Sequence, residues 1–324
     1  MSTSLSRSCL ALGVAVWACC ALMSWADSYP SKPVRVIVPF PPGSGVDILA
    51  RSFTPKFAET TGQQFIVDNR GGAAGNIGAG AAAKAPSDGY TLLIAPASLV
   101  SSQAMYKDLP FDLARDFDAI AFLATSPMIL LVNPNVPAKS PKELIALAKS
   151  KPGQLNYGSS GVGGSGHLSV ELFRRMAGIE LVHVPYKGNA TAFADLLGGH
   201  LSIMFTGIVS SLSLVKAGQL RALGVGSAKR SQIYPDLPTI SESGLTGYES
   251  TTWFAMLAPS RTPRNVITQL HGVATKIGQG KAMRERLLSE GAEPQSTTPE
   301  QLQAFIRTEI AKWKKVVTAA GIKE

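Results

Sequence analysis

Apolar positions along this chain switch repeatedly between a strand-like pattern and a helical period. From Val34 to Val38 nearly every side chain is β-branched, as in a strand covered on both faces, and prolines and glycines then separate it from an apolar 3.6-residue period that begins at Val46. That order predicts strand, stiff loop, helix. It continues through strands at Val34–Pro39, Phe65–Asp68 and Thr91–Ala95, with helices near Asp47–Thr60 and Asn76–Lys84. A second set has strands at Met128–Asn133, Leu155–Tyr157, Leu181–Pro185 and Leu201–Phe205, and helices near Pro141–Lys149, Gly166–Ala177, Ala190–Leu197 and Ser210–Lys216. Alternation of this kind predicts an α/β fold with parallel sheets covered by helices, and two such sets predict two lobes. After Leu220–Val225 come a turn-rich stretch, a strand-like Thr251–Leu257, and closing helices at Pro263–Gly278, Ala282–Glu290 and Pro299–Ala320. Ser140 and Thr298, each followed by a proline, read as helix caps.

The first residues follow another rule. Arg7 precedes an apolar run from Cys9 to Met23 that ends in Ser24-Trp25-Ala26, which reads as a secretory signal over residues 1–26, cut between Ala26 and Asp27. All three cysteines lie inside it, so the mature chain is expected to form no disulfide and to offer no thiolate. No later run is long and apolar enough to span a bilayer, and the expected product is soluble. The net charge of +9 raises nucleic acid as a partner, but the basic residues are dispersed among acids, as in Lys281 to Glu290, and aromatic residues are sparse. The expectation is no nucleic acid, only a mildly cationic surface.

Candidate chemistry gathers at two glycine-rich stretches. In the first, Gly43 and Gly45 let the main chain approach a guest, Ser44 supplies a hydroxyl, and the following helix presents free N–H groups that suit a carboxylate or phosphate. In the second, Asn156-Tyr-Gly-Ser-Ser-Gly-Val-Gly-Gly-Ser-Gly-His167, hydroxyls and an imidazole crowd another helix start. Facing each other they would form an anion-binding cleft; ordinary βα turns are the alternative. Ala97-Ser98, Tyr186 to Asn189 and Thr206-Gly207 lie at strand ends, where open α/β sheets place ligands. Asp47 reads as a helix cap or a ligand contact, Lys187 as an anion contact or a solvated side chain, and His183 as structural, while His167 stays open as a contact. Ser159, Ser160 and Ser165 each lack one glycine of a nucleophile elbow, no lysine completes a phosphate loop, and the four histidines lack metal-ligand spacing. No metal and no cofactor are expected.

Pro39-Phe-Pro-Pro-Gly-Ser-Gly-Val-Asp47, Asp68-Asn-Arg70 with Gly75-Asn-Ile-Gly78, Asp88-Gly-Tyr-Thr91, Asn156-Tyr-Gly-Ser-Ser-Gly161, Val184-Pro-Tyr-Lys-Gly188 and Leu220-Arg-Ala-Leu-Gly224 with Ser227-Ala-Lys-Arg230 follow one another in register. Together they resemble the extracytoplasmic solute receptors of tripartite tricarboxylate transporters, the Bug proteins. The resemblance implies a two-lobed type II periplasmic-binding-protein fold, each lobe a mixed, mostly parallel sheet covered by helices, linked by a hinge. Lobe 1 would hold residues 27–124 and 227–324 and lobe 2 residues 125–226, with linking passages near Leu123–Ser126 and Gly224–Ser227. The ligand contacts it implies are Phe40, Pro42, Gly43, Ser44, Gly45 and Asp47, with Ala97 and Ser98, from the first lobe. From the second come Ser159, Ser160, Gly161, Gly163, Gly164, Ser165 and His167, with Tyr186 and Lys187 at the rim; Thr206, after the fourth strand of that lobe, is expected at the same sheet edge. Relatives often carry Met-Phe-Asp where this chain has Met204-Phe205-Thr206, and threonine cannot anchor an ammonium as an aspartate does. The expected ligand is therefore a carboxylate without an amino group. The implied function is a monomeric, non-catalytic periplasmic receptor that closes over a small carboxylate and delivers it to the membrane subunits of a transporter. The alternatives are a ligand-dependent sensor for a membrane partner and a serine hydrolase using Ser165 with His167.

Overall fold

The computed structural model describes residues 29–106 and 108–320, so the expected signal segment and its cleavage point lie outside the described residues. The chain first lays down β1 (Val34–Val38), α1 (Gly45–Thr61), β2 (Phe65–Asn69), α2 (Asn76–Ala83), β3 (Thr91–Pro96) and α3 (Ser98–Met105). A long strand, β4 (Phe117–Val132), leads into α4 (Pro141–Ser150), β5 (Asn156–Ser159), α5 (Ser165–Ala177), β6 (Val182–Pro185), α6 (Asn189–Leu197), β7 (Ile203–Gly207), α7 (Ile208–Lys216) and β8 (Arg221–Val225). The chain ends with β9 (Thr251–Pro259), α8 (Arg264–Gln279), α9 (Lys281–Glu290), β10 (Glu293–Pro294) and α10 (Pro299–Ala320). Both expected caps form: Ser140 Oγ accepts from Glu143 N–H, while Thr298 Oγ1 and Gln301 Oε1 accept each other's main-chain N–H in a capping box. Helix α3 and the first part of β4 went unpredicted.

The strands run in the order β2-β1-β3-β9-β4-β7-β5-β6, with β8 and β10 also on β4. Pairing is parallel toward both ends of the sheet and antiparallel through its middle, where β9 and β4 sit. β4 is the strand that joins the halves. Its residues up to Pro127 pair with β9, and from Met128 it pairs with β7 instead. All of β4 is buried except the half-buried Asp118 and Thr125, which suits its almost uninterrupted apolar run. Pro127, opposite Thr251, falls where the partner strand changes, the end of a ladder being a place where proline is tolerated.

Four apolar cores lie on the two faces of the two halves. In the first half, Phe53, Phe57, Met256 and Leu287 fill the space under α1, α8 and α9, while Leu93, Leu99, Trp253 and Trp313 fill the other face under α2, α3 and α10. In the second, Leu130, Tyr157, Phe173 and Phe205 lie under α4 and α5, and Leu131, Phe193, Met204 and Leu212 under α6 and α7. Ile240, Leu245 and Tyr248 pack into this second half, although they follow β8. Gly226 N–H donates to Met128 O, and Ser250 N–H donates to Gly226 O. We therefore propose that the return passage lies at Ser250, so that residues 227–249 go with lobe 2 and not with lobe 1. The halves also touch each other: Leu168 and Val162 of the second pack on the core around Met105, and Val209 of α7 joins the core around Phe254.

Candidate functional site

The loop after β1 is braced from below. Asp47, in the first turn of α1, accepts from Gly43 N–H at 2.9 Å, from Asn69 Nδ2 at 2.9 Å and from Arg51 Nε at 3.0 Å, and Asn69 also donates to Phe40 O. Gly43 has φ +79°, so the turn favours glycine there. Burial alone would raise the Asp47 carboxyl, but the hydrogen bonds from Arg51, Asn69 and Gly43 outweigh it and hold the group below its usual range. Its contribution to stability is thus complete above the ordinary aspartate pKa and is lost as pH falls through the depressed one. Asp47→Ala is expected to cost about 2 kcal/mol in urea unfolding, the scale of hydrogen bonds to a buried charged acceptor.

Five helices begin around one cavity of about 80 Å³ between the halves. Ser44, Gly45 and Val46 bring the start of α1 to it, Ser98 that of α3, Ser165 and Gly166 that of α5, Asn189 that of α6, and Gly207, Val209 and Ser210 that of α7. At none of these five starts does the N-cap residue's own side chain make a capping bond, although in α7 the Val209 N–H donates to Ser126 Oγ at 3.5 Å. Each therefore turns unpaired N–H groups and the positive end of its dipole toward the same space. Two hydroxyls there, Ser44 Oγ and Ser98 Oγ, are buried without a hydrogen-bond partner. Asn189 Nδ2 donates to Thr206 Oγ1 at 3.2 Å, leaving the threonine proton free to point elsewhere. No lining residue carries a charge. Ser160 and Thr252 add two more hydroxyls, and the apolar part of the wall is Phe40, Val46, Pro96, Met128, Phe205, Val209 and Phe254. Chemically this is an enclosure of donors and hydrocarbon with no carboxylate or ammonium of its own.

Residues 49–322 match the profile of the tripartite tricarboxylate transporter family receptor. The chain belongs to this family. Protein BugT of Bordetella pertussis is 36% identical to it over 300 residues, 92% of each chain. Among solved structures, R. palustris Rpa4515 with adipate is 38% identical, with a TM-score of 0.89 over 91% of this chain and 99% of that one. MatC from Rhodopseudomonas palustris with bound malate is 29% identical, with a TM-score of 0.83 over 89% and 100%. The receptor has the two-lobed periplasmic-binding-protein fold of these relatives, and its family is one of solute-binding receptors rather than enzymes.

Of the residues expected at the receptor's site, Phe40, Ser44, Gly45, Ser98, Ser160, Ser165 and Thr206 line the cavity. The others stand behind or beside it. Pro42, Gly43 and Asp47 shape the first loop; Asp47 is occupied by its three donors. Ala97 caps α3, and its N–H donates to Trp253 O. Ser159, Gly161, Gly163 and Gly164 shape the second loop, where Gly164 N–H donates to Gly161 O. His167 is buried, its Nδ1 accepting from Gly163 N–H. Tyr186 donates to Asp195 and Lys187 is exposed, both away from the lining. Met128, Phe205, Val209, Ser210, Thr252 and Phe254 line the cavity without having been expected there. Ser210 had a visible signal, being one turn beyond Thr206-Gly207. Thr252 and Phe254 had none, because they reach the site through the pairing of β9 with β3 and β4.

Proposed function

We propose that the chain is a periplasmic receptor that closes its lobes over a small carboxylate with a hydrocarbon body and no amino group, and hands it to the membrane subunits of a tripartite tricarboxylate-type transporter. The observation that carries this reading is the convergence of five helix starts, none capped by its own N-cap side chain, on a cavity without charged side chains. Such a cavity supplies an anion with donors from several directions and with several half-charges at once. An ammonium in the same place would lose its water, find no carboxylate, and face the positive ends of the helices. The phenylalanine, valine and methionine walls favour CH₂ groups or a ring over hydroxyls. The adipate and malate of the two solved relatives fit the carboxylate part of the reading.

Native mass spectrometry of the protein purified without refolding tests it directly, the expected result being a co-purified small acid. Calorimetry should rank adipate above malate and place aspartate and glutamate last, at least about tenfold weaker than adipate. Tighter binding of aspartate than of adipate would remove the amine-free assignment. A hydrolase built on Ser165 and His167 has less support, since His167 Nδ1 already accepts a main-chain N–H and Glu171 is engaged by Tyr157 and Arg174. An esterase or amidase activity lost in Ser165→Ala would favour it.

A further inference from the structure

Beneath the second glycine loop two imidazoles lie face to face. His167 of α5 and His183 of β6 have centroids 4.1 Å apart and planes 14° apart, and Tyr157 of β5 stacks on His183 at 4.7 Å. Each ring holds the loop at one point. Gly163 N–H donates to His167 Nδ1 at 3.1 Å. Ser159 Oγ, which also bonds the main chain of Gly161, lies 2.7 Å from His183 Nε2. A main-chain N–H only donates, so Nδ1 of His167 is the bare nitrogen of a neutral ring. Gly163 is also where the lobes touch. Its φ is +78°, and a Cβ placed on it would stand 2.5 Å from Met105 Sδ of α3.

We propose that His167, steadied by His183, is a positioning residue: its unprotonated Nδ1 fixes Gly163, and through it the stretch carrying Ser160 and Ser165, in the shape that meets α3 and completes the cavity. Protonation removes that acceptor and frees the loop. The groups facing the pair are Tyr157 of β5 and Glu171 and Arg174 of α5. Glu171 would draw a proton onto the rings, but it is taken up by the Tyr157 hydroxyl at 2.8 Å and by Arg174 at 2.8 Å. Burial pushes His167 below its ordinary value, and burial together with the neighbouring His167 pushes His183 down to about 4. Both rings are therefore neutral near neutral pH, and the loop loosens as pH falls from the ordinary histidine value toward the depressed ones. Only the consequence for binding rests on the receptor reading above; the grip on Gly163 does not.

The test uses the ¹⁵N-labelled protein without ligand. Long-range proton–nitrogen spectra should show His167 Nδ1 unprotonated near neutral pH, and the Gly163 amide should shift with the same midpoint as the His167 ring. His167→Asn, whose side-chain oxygen can replace Nδ1, should keep the Gly163 amide in place and abolish its pH response. His167→Leu should displace it at every pH and weaken adipate binding near pH 7 by about tenfold, with most of the loss recovered in the asparagine variant. A Gly163 amide that ignores the titration of His167, or a leucine variant that leaves that amide unmoved, overturns the proposal. If the wild-type protein binds no adipate, the receptor reading is at fault and the amide titration alone decides for or against the positioning role.

Discussion

Ser44→Trp is expected to weaken adipate binding at least about a hundredfold, which corresponds to about 2.7 kcal/mol, while leaving the thermal midpoint within a few degrees of the wild type. The separation of the two effects follows from what Ser44 does. It is the N-cap of α1, but its hydroxyl makes no capping bond and is buried without a partner, so the fold loses no hydrogen bond with it. Its backbone, at φ −71° and ψ 156°, lies in a region open to any L-residue. The space it faces is the cavity, and the lobes are close beside it: a Cβ on Gly45 would stand 3.0 Å from Ser210 Oγ. An indole there fills the volume a ligand needs and keeps α1 from α7. Small-angle scattering should accordingly show no compaction of the variant when adipate is added, whereas the wild type compacts if it starts open. Ser44→Ala removes one donor and leaves the space, so its loss should be about tenfold or less. A tryptophan variant with wild-type affinity would move the ligand out of this cavity altogether.

Where local chemistry decides an element, the amino-acid pattern reveals it. The β-branched run of β1, the prolines after Ser140 and Thr298, and the glycines that adopt positive φ at Gly43 and Gly163 announce strand, caps and loops without help from the rest of the chain. The glycine loops are also why part of the candidate site was legible, for they precede α1 and α5, whose starts reach the cavity. Other parts depend on distant partners. Phe117 to Pro127 is an apolar run that a helix or a strand could use, and its partners β9 and β10, more than a hundred residues later, make it a strand. Met128, Val209 and Phe254 are ordinary core residues in their own elements and become cavity walls only because two lobes meet. His167 and His183 show the same limit. Nothing in their spacing pairs them; the parallel register that sets His183 beside Tyr157, with α5 packed across it, brings the rings together.

The other large effect is expected in the first lobe under α10, where Glu309→Leu should cost about 3 kcal/mol. Glu309 of α10 is buried, and its Oε2 accepts from Trp313 Nε1 at 3.2 Å and from Trp253 Nε1 at 3.3 Å, with Lys312 Nζ 3.4 Å from Oε1. Both indoles are buried as well. Leucine fills a similar space but leaves two indole N–H groups facing hydrocarbon, each at a penalty of about 1–3 kcal/mol. Glu309→Gln keeps an acceptor and should lose less than half as much. Urea unfolding followed by tryptophan fluorescence reads this out, because two of the reporting rings are the ones left unpaired. The consequence reaches the cavity through β9: Trp253 lies between Thr252 and Phe254, which line it, and its carbonyl accepts the N–H of Ala97 at the start of α3. A leucine variant as stable as the wild type would show that the indoles find other acceptors, and that α10 is held to the sheet by its apolar face alone.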